Sequence, residues 1–351
     1  MLSFETVNYI DRACTGGEAF SMLLPRGWEF SGGIRWSPDE VMMPAALAFE
    51  LSGTDVTLQA LPGKAFFWTD LMQVRARYPI GAGYLGAVVC PPLDVADLIR
   101  SVILPSARPE ATGLKIIDER SLGRATAPYA GLDFKDCGSS SMEAYRMHVE
   151  YEMGDRRAEE EIFCTIADYR FDVPVGNHGF GYIFWMVDDI FSFSAEKGKL
   201  DGPRDILQAV MSSIRLSPQW LEKYQRIKRY LKDRQVFRQS SLRQISRDVD
   251  AFSGPDAGAV MPLLARRQSI YRLIADNLGD GAALGEYYDP VQQICVRLPD
   301  GYDHAWADGS GEYLLSNDGN LVPDGSFTEI WKRMERIRLE SQKPEPPAAW
   351  A

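Results

Sequence analysis

The sequence predicts an α+β fold: an antiparallel sheet covered by helices, an α/β/α sandwich, followed by a helical connector and a small three-stranded β module. Three observations predict it. Residues 145–153 and 159–171 are extended runs joined through Gly154-Asp155-Arg156-Arg157, and a third run opens at Gly179, so consecutive strands form a meander with no βαβ crossover. The hydrophobic period then changes once. Tyr182, Phe184, Met186, Ile190, Phe191 and Phe193 have strand character, whereas Ile206, Leu207, Val210, Met211 and Ile214 fall on one helical stripe, entered at Asp201 and Pro203 and ended by Pro218. Beyond Trp220 the composition turns basic, with 12 Lys and Arg against 5 Asp and Glu over residues 221–275.

Taken in order, residues 20–30 predict a strand that enters a turn at Pro25-Arg26-Gly27-Trp28, with residues 32–36 as its partner. Residues 45–61 predict a hairpin punctuated by Ser52-Gly53-Thr54-Asp55. The spacing of Phe67, Leu71 and Val74 predicts a helix over 66–78, and a second short helix is expected over 95–102 after Pro91-Pro92. Strands are expected over 114–122 and 129–134. Leu221, Tyr224, Ile227, Leu231, Leu242, Ile245, Val249 and Phe252 predict one long or two shorter amphipathic helices, and residues 260–277 another. Residues 286–323 read as three strands, turned at Pro299-Asp300-Gly301 and Asp308-Gly309-Ser310-Gly311, a sheet too small to stand without docking. A helix over 327–339 and a proline-rich extended tail close the chain. The expected divisions are therefore 1–220, 221–284, 285–340 and 341–351.

Composition and charge narrow the function classes. The chain is 351 residues with a formal charge of −11, which argues against a nucleic-acid footprint over the whole surface, because phosphate binding needs a concentrated positive field. The 5 cysteines, Cys14, Cys90, Cys137, Cys164 and Cys295, are far apart, odd in number and never in CxxC spacing, which suits reduced thiols. No apolar run is long enough to cross a membrane and no signal-like start is present, so the expected setting is cytoplasmic.

Three stretches, FSMLLPRGW at 20–28, ADYRFDVPVG at 167–176 and ILQAVMSSIRLSPQW at 206–220, resemble the PsbP-like superfamily over residues 18–220. That superfamily includes an extrinsic photosystem subunit, a Ran-binding import release factor and the adaptor chaperones of type VI secretion effectors. The resemblance implies an α/β/α binding scaffold with no shared catalytic residues to carry over. The chain is also similar to uncharacterised bacterial proteins that append a small aromatic hairpin module.

Chemical motifs are sparse. Gly81-Ala82-Gly83-Tyr84-Leu85-Gly86 matches GxGxxG by letter but lacks the strand-before and helix-after context that pyrophosphate binding requires, so it is expected to be a loop. His148, His178 and His304 are dispersed, and no metal or cofactor is expected. Ser139-Ser140-Ser141 has no nucleophile elbow. Glu159-Glu160-Glu161 and Asp188-Asp189 are expected on solvated strand edges, since neighbouring strand residues point to opposite faces.

The aromatics carry the binding expectation. Trp36, Phe67, Trp68 and Tyr84 are candidates to line a cleft, and Tyr287, Tyr288, Trp306 and Tyr313 to present a peptide-binding face or to dock the small sheet. The leading expectation is a non-enzymatic adaptor or chaperone with a protein partner. One alternative is a hydrolase assembled only in the fold, with His148, Asp168 or Asp172 among its groups. Another is binding of an acidic polymer or membrane surface through Lys223 to Arg247.

Overall fold

A computed structural model describes residues 1–124, 139–175, 178–234, 242–251, 257–278, 284–321, 323 and 331–337. The expected strand over 129–134, most of the helix over 327–339, and the tail lie outside the described residues.

The chain opens with strand β1, Leu2–Ile10, which the hydrophobic pattern does not announce, because Glu5, Asn8 and Thr6 interrupt it. β2 (Glu18–Pro25) and β3 (Glu29–Trp36) follow around the 25–28 turn, then the hairpin β4 (Ala45–Ser52) and β5 (Val56–Leu61). β6 (Lys64–Thr69) takes the first half of the expected helix at 66–78, leaving only α1, Met72–Arg77. The reason is burial on both sides. Phe66 packs into the core on one face of the sheet and Phe67 into the core on the other, an arrangement that a single helical stripe cannot supply.

β7 (Gly83–Tyr84) and β8 (Ala87–Val89) form a tight hairpin, and β8 runs parallel to β6. A helical stretch follows: α2 (Val95–Leu98), a π-helical turn at Ile99–Ile103, and α3 (Leu104–Ala107), where Pro105 has no N–H to continue the α-helical ladder. Four long strands then run antiparallel, β9 (Thr112–Arg124), β10 (Ser139–Met153), β11 (Arg156–Val175) and β12 (His178–Glu196). Gly154 at φ +59 opens the two-residue turn between β10 and β11, as a type II′ hairpin requires.

The remainder comprises α4 (Arg204–Ser213), β13 (Arg215–Leu216), α5 (Pro218–Arg234), α6 (Leu242–Ala251) and α7 (Ala257–Asn277). It ends with β14 (Leu284–Asp289), β15 (Ile294–Pro299), β16 (His304–Ala307), β17 (Tyr313–Ser316), β18 (Lys332–Arg333) and β19 (Glu335–Arg336).

These elements do not make a helix-covered α/β/α sandwich. Among the described residues strand accounts for 49% and helix for 24%, in large curled sheets. The principal sheet has ten strands, with the path β3-β4-β5-β12-β11-β10-β9 and β6, β8 and β7 attached beside β12. On one face Leu98, Ile99 and Ile103 of the helical stretch pack with Met147, Ile162 and Trp185. The other face meets a second sheet, ordered β13-β2-β1-β17-β16-β18, through the stacked rings of Phe20 and Phe49 (5.5 Å), and meets α7 through Phe191 and Tyr271 (5.4 Å).

The small module is corrected as well. Its strands do not form one three-stranded sheet. β14 and β15 pair with β19, whereas β16 and β17 join the second sheet, where Leu2 of β1 pairs with Leu315. A strand as short as β17 finds its partners where an unpaired edge is already present, and β1 supplies that edge. The residues 332–333 and 335–336, expected in a helix, are strands.

Candidate functional site

β12 shares one edge between two partners. Residues 190–195 pair with β5, residues 182–187 pair with β6, and the β5–β6 turn at Pro62-Gly63 faces the gap, where Asp188 and Asp189 stand. The register with β11 slips here: Thr165 faces Asp188 and Phe163 faces Phe191, so a bulge inserts an extra residue, and Asp189 takes φ +49 to make it.

The bulge overturns the expectation for this pair. Alternation would point the two carboxylates to opposite faces, but both meet Arg267 of α7, Asp188 at 2.6 Å from Nη2 and Asp189 at Nη1. Thr165 Oγ1 donates to Asp189 Oδ2 at 3.3 Å. Both carboxylates are buried, and burial pushes the Asp189 carboxyl upward against the opposing pull of Arg267. Glu160 and Glu161 are likewise buried, not solvated. Glu160 accepts from the Tyr151 hydroxyl at 2.6 Å and Arg108 Nη2 at 3.1 Å, and Glu161 takes a bidentate contact from Arg146 with Arg204 at 3.2 Å. A strand buried on both faces must pair any carboxylate it carries.

The expected cleft aromatics divide. Trp36 is a structural tie: its indole and that of Trp220 both donate to Asp11 Oδ2, at 3.1 and 2.9 Å, and Tyr224 stacks on Trp220. Phe67 and Tyr84 do come together, because β6 and β8 pair in parallel beside one another, whereas Trp68, the next residue of β6, borders both cores. Phe67 and Tyr84 rings lie 4.3 Å apart, Tyr78 meets Tyr84 at 4.9 Å, and Arg75 lies over Trp68 at 5.5 Å. Phe67 is buried beneath this group, whereas Trp68, Tyr78 and Tyr84 are half-buried at its surface.

The same stretch of chain carries exposed apolar side chains that the sequence did not single out. Met72 is 72% exposed, Ile80 68% and Leu85 50%. α1 buries none of its residues. Leu85 (φ +50) and Gly86 (φ +76) are the central pair of a type I′ turn between Tyr84 and Ala87, positions that normally select Asn, Asp or Gly. A leucine there costs about 1–2 kcal/mol of backbone strain. The strained turn holds the leucine side chain outward. Residues 64–90 carry Lys64, Arg75 and Arg77 against Asp70, a local positive surplus within an acidic chain.

The GxGxxG letters fall in this turn and lead into β8 with no helix N-terminus. In the terminal strands Tyr313 is buried, donating to Asp289 Oδ2 at 3.0 Å, and Tyr287 is buried; Trp306 is half-buried against His304, and Tyr288 is 39% exposed. Tyr313 and Tyr287 thus act in the docking of the module.

The hydrolase candidates are not brought together. His148 pairs in register with Glu161 and Ser141 with Asp168, which separates His148 from Asp168 by about 23 Å along the strands. Asp168 accepts from Ser141 Oγ at 2.8 Å, and Asp172 is exposed further along β11. Among the described residues no group of three or more His, Cys, Asp or Glu is placed to hold a metal ion, and no helix is long and apolar enough to cross a membrane. Within the expected cationic segment, Lys223, Arg226 and Arg229 are half-buried, Lys228 is buried, and Arg226 Nη2 donates to the Val249 carbonyl at 2.6 Å.

Compared with protein-family models, curated proteins and solved structures, the chain matches none.

Proposed function

We propose that the chain is a protein-binding adaptor or chaperone that captures an apolar segment flanked by acidic side chains, using the surface of Trp68, Met72, Tyr78, Ile80, Tyr84 and Leu85. The observation that supports this most is Leu85. An apolar side chain is held half-exposed on strained backbone, next to Tyr84 in a stretch with other exposed apolar residues, where folding alone favours a polar turn residue. Arg75 and Arg77 supply the complementary charge for an acidic flank, and aromatic groups with arginines are the residue types that concentrate binding energy.

The test is a pull-down with the full chain beside a Met72→Asp/Leu85→Asp variant, compared at equal folded concentration by circular dichroism. The variant is expected to lose the captured partner, since burying a charge at a central contact costs about 2 kcal/mol or more, roughly thirtyfold in affinity. The mapped partner segment is expected to be apolar with Asp or Glu at its ends. Identical capture by both chains would overturn this assignment.

Strain at the same turn gives a second expected result. Leu85→Asn should stabilise the chain by about 1 kcal/mol, because asparagine tolerates the left-handed region, while weakening partner capture. Urea unfolding of the variant, read together with the pull-down, checks the opposite signs.

A further inference from the structure

We propose that the cavity between the β12 bulge and the helical stretch ending in α3 binds a small carboxylic acid with an apolar body of leucine size, its carboxylate held by Arg35 and Lys64. The inference does not depend on the adaptor reading, which uses other residues.

The cavity follows from the bulge. Up to that point Ile183, Trp185 and Val187 of β12 belong to the core beneath the helical stretch; beyond it Phe191 and Phe193 belong to the opposite core, and Ile190 returns to the first. The extra residue thus sets Val187 and Ile190, three positions apart, on one face with a gap between them. Register carries the gap to the neighbouring strands. Ile190 pairs with Leu61 of β5 and Val187 with Lys64 of β6, and residues paired across strands share a face. The turn between those strands is pressed against β12, since a Cβ on Gly63 would stand 2.5 Å from the Val187 carbonyl oxygen. From the other side Val102, Ile103, Ser106 and Ala107, one helical turn apart in pairs, complete the walls. They enclose a cavity of about 240 Å³. That is roughly eight water volumes at ~30 Å³ each, room for a leucine-sized molecule.

The lining has two characters. Leu61, Val102, Ile103, Val187 and Ile190 make the body of the cavity apolar. The charged groups are Arg35 and Lys64, both exposed, and the half-buried Glu40. Arg35 is placed on this side of the sheet because Ile34, its neighbour in β3, fills the opposite core. Among the described residues the side chains of Arg35, Lys64 and Glu40 make no hydrogen bond or ion pair, so all three can turn to a ligand. An apolar enclosure with a few polar groups at its mouth is the usual form of a small-molecule site. Two cations against one carboxylate favour an anionic head, and a carboxylate suits the guanidinium fork. A bare inorganic anion would leave the apolar walls wet, so the head must carry an apolar body. An amino group beside the carboxylate would in addition give Glu40 a partner.

Isothermal titration calorimetry of the full chain with leucine, isocaproate, isoamylamine and acetate tests the proposal. The first three share one branched body and differ in the head group; acetate has the head without the body. Saturable binding of leucine or isocaproate, one molecule per chain, is expected, with none of isoamylamine or acetate. Tighter leucine assigns the site to amino acids through Glu40, and tighter isocaproate assigns it to plain acids. Arg35→Gln and Lys64→Gln, at exposed positions, are each expected to weaken binding about tenfold, and Arg156→Gln, exposed on β11, to leave it unchanged. Ala107→Leu adds bulk from a half-buried wall position and should abolish binding in a chain shown to be folded by circular dichroism. No saturable binding of either acid, equal binding of isoamylamine, or undiminished binding in both glutamine variants would each overturn the assignment.

Discussion

Arg267→Met is expected to destabilise the chain by about 3–5 kcal/mol, the cost of removing one partner from a buried ion pair. The effect belongs at the upper end because one guanidinium serves two carboxylates: Nη2 meets Asp188 at 2.6 Å and Nη1 meets Asp189, with both carboxylates buried. Without the guanidinium, two like charges on adjacent residues would share an enclosed space. Arg267→Lys should lose less, since it keeps the charge but not the fork that contacts both carboxylates at once.

The pH dependence has a definite sign. Burial already raises the Asp189 carboxyl above its ordinary 3.8, with Arg267 pulling it down, so the variant raises it further. An acid raised in the folded state binds its proton more readily there, and the folded state gains as pH falls through that raised value. The stability gap between the variant and the natural chain should therefore narrow from neutral pH toward pH 4. Urea unfolding at several pH values checks it, and a gap that widens in acid would show that Arg267 does not neutralise this pair.

The same pair shows where the sequence was legible and where it was not. The hairpins were, because β4 and β5, or β10 and β11, carry both apolar runs and punctuation in adjacent residues. The fate of Asp188-Asp189 depended on a bulge, and a bulge is set by what happens on the partner strands. β12 changes partner from β6 to β5 at that point, which no local pattern reports. One signal was available: two carboxylates inside the apolar run Met186-Val187-Asp188-Asp189-Ile190-Phe191 cannot be buried without a cation, and Arg266-Arg267 lies in a helix with few other reasons to be basic.

The proposed docking surface was half legible for a similar reason. Phe67, Trp68 and Tyr84 were chosen by residue type, and the parallel pairing of β6 with β8 brings Phe67 and Tyr84 into contact. Trp36 was chosen on the same basis yet serves Asp11, whose five hydrogen bonds to its carboxylate come from residues as distant as Trp220. Leu85 escaped notice because what distinguishes it is its φ value and not its chemistry. The split of the terminal strands between two sheets could not be read either, since it rests on β1, three hundred residues earlier in the sequence by an approximate count of the pairs Leu2 with Leu315 and Phe4 with Tyr313.

Lys228→Met is expected to act in the opposite direction from Arg267→Met, stabilising the chain at neutral pH. Burial pushes the Lys228 ammonium from its ordinary 10.5 down to about 8; Asp188 opposes the shift, while Arg267, Arg266 and Lys232 reinforce it. A base lowered in the folded state binds its proton less readily than in the unfolded chain, so the folded state carries the full penalty below about pH 8 and sheds it as pH rises toward 10.5. At 1.36 kcal/mol per unit, removing the ammonium is worth roughly 3 kcal/mol at pH 7, reduced by whatever packing the methionine loses. The advantage over the natural chain should shrink between pH 8 and 10.5 and be nearly gone above it. Tyr271 on α7 does not blur this window, since burial raises its hydroxyl well above the ordinary phenol range. Urea unfolding of both chains at several pH values checks it, and a variant less stable than the natural chain at neutral pH would show that the folded state does not penalise the charged lysine.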